Sequence, residues 1–265
     1  MAGAIALMYD NLCKFLAETF PTDFASWILG EPIPLTELKP SELSTEPIRA
    51  DSLIFLASAE IILHLEFQTT TDENMPLRML DYWVRLRRKF PTKKIHQTVI
   101  YLRPTNSPLV RQAIYTSEQT SHEFQIIRLW EQSPQTLQQY VGLLPFVSLC
   151  RTDDPEEELR QVTKQIEAIP DKEIQANLIA ATYVISGLIL DTEILQKLLR
   201  REFMKESVTY QEILREGIAE GIIRGEARGR SEAANQIALN MRRSGISVDL
   251  IVKLTGLSLE QIQTL

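Results

Sequence analysis

Apolar residues alternate along two neighbouring stretches, Ile48 to Ala57 and Glu60 to Thr70, and this period of two predicts a pair of strands. A period near 3.6 marks the segments on either side. Tyr9 to Thr19 places Leu12, Phe15, Leu16 and Thr19 on one side of a helix. Pro21 follows it, and a connector holding Pro32, Pro34, Pro40 and Pro47 leads to the strands. Met75 to Phe90 reads as a second helix, stopped by Pro91. His96 to Arg103 and Phe124 to Glu131 read as two further strands. The order helix, strand, strand, helix, strand, strand predicts an α/β fold, a mixed sheet flanked by helices.

The pattern changes after Cys150. Pro155 opens a helical stretch that runs to about Lys205, and Ala176 to Leu190 is almost wholly apolar. That apolar stretch is too short and interrupted to span a bilayer, so a buried core helix is expected. From Glu212 to Gly229 glycine recurs every four residues, at Gly217, Gly221, Gly225 and Gly229. On a helix these form one stripe that either packs against another helix, giving a homo-oligomer, or leaves a frayed linker. Gly245 to Leu265 reads as two short helices: Ser247 caps the first, Gly256 closes it, and Ser258 with Gln261 forms a capping box for the second. Three regions result, 1–150, 151–210 and 211–265.

The chemistry concentrates in one strand. Between Glu60 and Thr70, alternation puts Ile61, Leu63, Leu65 and Phe67 on one face and Ile62, His64, Glu66 and Gln68 on the other. Three polar groups on a face otherwise fit for burial require partners. A two-residue turn at Ser58 and Ala59, or a four-residue loop from Ala57 to Glu60, sets Asp51 opposite Glu66; a one-residue bulge would undo that alignment. Two facing carboxylates repel, and a divalent cation between them would turn repulsion into attraction. His64, on the same face, fits a hydrogen-bonded core histidine better than a ligand of a hard cation.

Charge adds a second theme. The net charge is −7, yet from Met75 to Ile95 seven basic residues stand against one acid, Asp81. Such a run is a solvated face or a local contact for phosphates, whose binding depends on where charge lies more than on its sum. Cys13 and Cys150 have no metal-type spacing and are expected to be reduced and buried. No apolar run is long enough for a membrane span, and the N-terminus lacks the basic segment of a secretory signal; a cytoplasmic protein is expected.

The ordered combination of Asp51, the run LHLEFQTTTDENMPLRMLDYW and the glycine-rich helical tail resembles the recombination-promoting nuclease/putative transposase (Rpn) family, a branch of the PD-(D/E)XK nuclease superfamily. DNLCKFLAETFP, GLLPFVSL and LTGLSLEQIQTL extend the resemblance over most of the chain. It implies a restriction-endonuclease-like domain over 1–150, a helical extension over 151–210, and a tail over 211–265. It implies Mg²⁺, with Mn²⁺ as a substitute, held by Asp51 and Glu66, and a Mg²⁺-dependent DNA endonuclease in which Gln68 orients water or phosphate. Gln68 stands where the parent motif has lysine, as is usual in this branch, and Ala50 stands where it has proline. Asp10 matches the family's N-terminal acidic position, either as a hydrogen-bond partner for water at the cation or as a helix N-cap. Arg78, Tyr82 and Arg85 share a helix face by spacing, and Arg78 with Tyr82 suits phosphate contact or bracing of the site. Two other readings stand beside the nuclease. Gln68 and the acidic net charge suit a non-catalytic nucleic-acid-binding or assembly protein on a nuclease fold. The paired short helices at the C-terminus suit a helix-turn-helix, although they carry few basic residues.

Overall fold

The computed structural model describes residues 2–38, 53–199, 211, 215, 234–242, 247–258 and 262. Asp51, the four glycines of the repeat and Gln261 lie outside the described residues. The chain divides into two compact units, Ala6–Leu214 and Arg215–Leu265 with Met1–Ile5.

The larger unit is built on a five-stranded mixed sheet. Helices α1 (Ala2–Thr19) and α2 (Pro21–Leu29) precede strands β1 (Thr36–Glu37), β2 (Leu53–Ala57) and β3 (Ile61–Gln68). Helix α3 (Met75–Lys89) leads to β4 (Lys94–Tyr101), and a small hairpin, β5 (Ile114–Ser117) and β6 (Thr120–Glu123), precedes β7 (Gln125–Arg128). The sheet order is β1-β2-β3-β4-β7. β1, β2 and β3 are antiparallel neighbours, whereas β3, β4 and β7 run parallel. A parallel pair needs a crossover, and α3 supplies it between β3 and β4.

Alternation along β3 divides two cores. Leu63, Leu65 and Phe67 join α1, α2, the 3₁₀ segment Val141–Leu149 and the later helices in the main apolar cluster. Ile62 faces the other way and packs with Phe55, Tyr82 and Leu86, which belong to β2 and α3. Helices α5 (Pro155–Glu167), α6 (Lys172–Ser186) and α7 (Thr192–Leu198) follow the short α4 (Pro134–Leu137). Their starts are written in the sequence. Asp154 accepts from Glu157 N at 3.0 Å ahead of Pro155, and Asp171 accepts from Glu173 N at 2.9 Å and Ile174 N at 3.0 Å. Cys13 and Cys150 are free and buried, and burial pushes the Cys150 thiol up to about 12.

The β2–β3 register corrects an expectation. Leu53, not Asp51, lies opposite Glu66, and Phe55 lies opposite His64. The turn has moved one residue along, because Ser58 organises it. Its hydroxyl accepts from Glu60 N at 3.3 Å and Ile61 N at 3.1 Å, and Ser58 N donates to Ile61 O at 2.9 Å. A serine that satisfies the turn's own amides replaces the glycine or asparagine of a tight hairpin. Pro21 also begins a helix where a connector was expected, since proline at the first helical position gives up no bond.

Gly142 fixes α2 against the 3₁₀ segment. Its N–H donates to Asp23 Oδ2 at 2.7 Å, and a methyl group at 142 would be driven into Cβ and the ring of Phe20. Gly142→Ala is therefore expected to lower stability by about 1–3 kcal/mol, as overpacking does. A urea midpoint equal to wild type would show that Phe20 yields freely.

In the smaller unit, helices α8 (234–242) and α9 (Val248–Thr255) bury Ala238, Ile251, Leu257 and Ile262 together. Ser247 precedes α9 as expected, but its side chain makes no capping bond. Gly256 closes the helix with φ +72°, a conformation that favours glycine, and its N–H reaches Val252 O at 3.0 Å.

Candidate active site

The carboxyl-terminal half of β3 carries an acid into the interior. Glu66 is 1% exposed and His64 is 0% exposed, both on the face covered by α3. A buried carboxylate demands compensation. Glu66 Oε2 accepts from Gln68 Nε2 at 3.2 Å and lies 3.8 Å from Arg78 Nη2. Glu66 Oε1 lies 3.8 Å from His64 Nε2, and both atoms lack a hydrogen-bond partner among the described residues.

Helix α3 supplies the covering side chains by its spacing. Arg78 is shared: Nη1 lies 3.4 Å from Asp72 Oδ2, and Nη2 donates to Met75 Sδ at 3.4 Å. Tyr82 lies one turn on, buried with Phe55 and the His64 ring, at centroid distances of 6.3 and 5.3 Å. Burial, and then the Glu66 charge, pushes the Tyr82 phenol up to about 12, so it stays protonated at neutral pH. Burial raises the Tyr101 phenol as well, with Asp72 adding to the shift and Arg78 opposing it. Arg85, the third member of the predicted face, turns to Asp81 at 2.9 Å. The basic run has a structural share too, because Arg87 Nη1 donates to Pro91 O at 2.8 Å and Lys93 O at 3.1 Å and so ties the loop after the helix back to it.

Parallel pairing brings β4 residues alongside: Gln97 beside His64 and Tyr101 beside Gln68. Gln97 Nε2 meets His64 Nδ1 at 2.9 Å and Met79 O at 2.8 Å, while Gln97 Oε1 meets His122 Nε2 at 2.7 Å. Sequence reasoning missed Gln97 and His122. The signal was the single amide in the run HQTVIYLR, which alternation would have set on the face of Val99 and Tyr101. Just beyond Gln68, where the strands end, Thr69, Thr70, Thr71, Tyr101, Arg103, Pro104 and Thr105 line a cleft of about 350 Å³.

The structure therefore gathers Glu66, Gln68, Arg78 and Tyr82 around one buried carboxylate. Asp10 is not a helix cap, since α1 begins at Ala2 and Asp10 sits inside it. Its neighbours on α1, Leu12, Cys13 and Leu16, pack with Leu63, Leu65 and Phe67 on the opposite face of the sheet from Glu66. The fit to a divalent cation rests on Glu66 Oε1, a buried oxygen of the hard type that Mg²⁺ selects, unpartnered among the described residues. Among the described residues no group of three histidine, cysteine or acidic side chains is arranged to hold a metal, and Asp51 lies outside them. No described helix is long and apolar enough to cross a membrane.

Residues 231–265 match the family model described as "Rpn/YhgA-like nuclease family, C-terminal HTH domain". The paired helices α8 and α9 fall within that match. Comparisons with curated proteins and with solved structures returned no match.

Proposed function

We propose, from the match of residues 231–265 to the C-terminal domain of the Rpn/YhgA-like nuclease family, that the chain is a metal-dependent DNA endonuclease with a PD-(D/E)XK-type site on β3. The observation that carries this reading is Glu66 Oε1, a carboxylate oxygen buried beside an amide and a guanidinium with no hydrogen-bond partner among the described residues. Glu66 and Asp51 would hold Mg²⁺ or Mn²⁺, which when bound lowers the pKa of a water and offsets phosphate charge. Gln68 holds Oε2 and so sets the angle of the carboxylate. Arg78, half-buried and shared between Glu66 and Asp72, offers its guanidinium to a phosphate. The threonine-lined cleft and Arg103 would seat the neighbouring backbone, and the helix-turn-helix unit would add DNA contacts of its own.

One observation favours a non-catalytic DNA-binding module instead. Gln68 and Arg78 already compensate one Glu66 oxygen without a cation. Plasmid nicking with Mg²⁺, Mn²⁺ or EDTA separates the two readings. Nicking that requires the metal supports the nuclease; salt-sensitive DNA binding without nicking under any condition supports the module. On the nuclease reading, Gln68→Ala is expected to slow cleavage about 10- to 100-fold, the usual cost of losing a partner that orients a ligand. Single-turnover rates at saturating Mg²⁺ measure this, and an unchanged rate would reduce the site to its carboxylates.

A further inference from the structure

We propose that His122, Gln97 and His64 form a positioning relay in which each side chain orients the next, ending at Glu66 Oε1. The order of donors follows from one fixed point. Met79 O is a carbonyl and only accepts, so the Gln97 atom 2.8 Å from it is the amide nitrogen. The second N–H of the same amide meets His64 Nδ1 at 2.9 Å, which makes Nδ1 the acceptor. Gln97 Oε1 then faces His122 Nε2 at 2.7 Å and accepts a hydrogen bond from its N–H. With Nδ1 accepting, the His64 proton sits on Nε2, the nitrogen turned toward Glu66.

This assignment changes what His64 can do. A protonated Nε2 has no lone pair for a cation, so His64 is a donor to the carboxylate and not a ligand. The N–H and Glu66 Oε1 are 3.8 Å apart, and both lack a hydrogen-bond partner among the described residues. A shift of roughly 1 Å closes that gap into a charge-assisted bond. The ring packs against Phe55 at 4.8 Å and Tyr82 at 5.3 Å between centroids, two buried contacts that limit its rotation. Gln68 on Oε2 and His64 on Oε1 would then use one lone pair of each oxygen and leave the other pair of each for a ligand. The relay starts on the small hairpin, where Trp83 covers His122 at 5.6 Å between ring centroids.

The relay rests on the metal reading only for its consequence, so the test has two arms on the full chain. The first is long-range ¹H–¹⁵N spectroscopy of histidine-labelled protein. The chain has three histidines, His64, His96 and His122, assignable by single substitution. The expected result is His64 with a protonated Nε2 and a bare Nδ1, and loss of that single tautomer in Gln97→Leu. A proton on Nδ1 in the wild type overturns the relay. The second arm is Mn²⁺ titration calorimetry. His64→Leu is expected to bind Mn²⁺ about 10- to 100-fold more weakly, and His64→Gln, which keeps an N–H donor, to restore most of the affinity. Wild-type affinity in a folded His64→Leu protein overturns the positioning role. Wild-type protein that binds no Mn²⁺ sinks the metal reading instead, and the spectroscopic arm alone then decides the relay.

Discussion

Glu66→Ala is expected to abolish metal-dependent DNA cleavage, a fall on the order of 10³-fold or more, while the protein stays folded. Loss of a single charge-stabilising group at a reacting centre already costs about 10²- to 10³-fold, and Glu66 would be a direct ligand as well. Folding is expected to survive for a local reason. Glu66 buries its charge at 1% exposure, and the cation facing it, Arg78, keeps Asp72 at 3.4 Å when Glu66 is gone. No isolated buried cation is left behind, which is the usual source of large losses on breaking a buried pair. Glu66→Gln preserves volume and removes only the charge, so it separates ligation from packing. Asp51→Ala is expected to match the loss, although Asp51 lies outside the described residues. Single-turnover plasmid cleavage and thermal melts of the same samples are the measurement. Cleavage at the wild-type rate in either alanine variant would place the chemistry elsewhere.

Phe146→Ala is expected to cost about 3–5 kcal/mol, the range for truncating a buried aromatic. Phe146 is 1% exposed within the 3₁₀ segment Val141–Leu149. Its ring stacks on Phe67, with centroids 5.7 Å apart and planes at 12°, and meets the edge of Phe24 at 6.2 Å. These pairs add to burial and leave a cavity bounded by three elements that cannot all collapse. Against a total stability of about 5–15 kcal/mol, such a loss is a large fraction. Phe67 sits between Glu66 and Gln68 on the reverse face of β3, so loosening it also loosens the backbone that aims the site. Urea denaturation measures the change, with Leu77→Ala, a 49% exposed position, expected to stay within about 0.5 kcal/mol of wild type. A Phe146→Ala midpoint near that of the control would mean that the cluster repacks.

Much of this arrangement was legible beforehand. The period of two along β3 named Glu66 and Gln68 as one face, and the spacing of four and three along α3 brought Arg78 and Tyr82 toward it. Pro91 ended α3, and Pro155 marked the start of α5. The hairpin β5–β6 was not legible, because its strands are short and largely exposed, and its turn uses Glu118 at φ 47° in place of a glycine. The register of β2 on β3 was not legible because it turns on the two bonds of one side chain, and nothing in the alternation tells whether Ser58 lies inside the turn or commands it.

Sequence alone determined the properties that depend on neighbours along the chain: which residues alternate, where proline and aspartate start helices, and which acid a strand carries inward. Those follow from local periodicity and from backbone groups that need partners at helix ends. Tertiary structure alone decided what holds His64 beside that acid. Gln97 reaches His64 across 33 residues because β4 lies parallel to β3, and His122 reaches Gln97 across 25 because a separate hairpin folds over the strand. Parallel register is set by the crossover helix and the packing of both sheet faces, so the partners of His64 become visible only when the sheet is assembled.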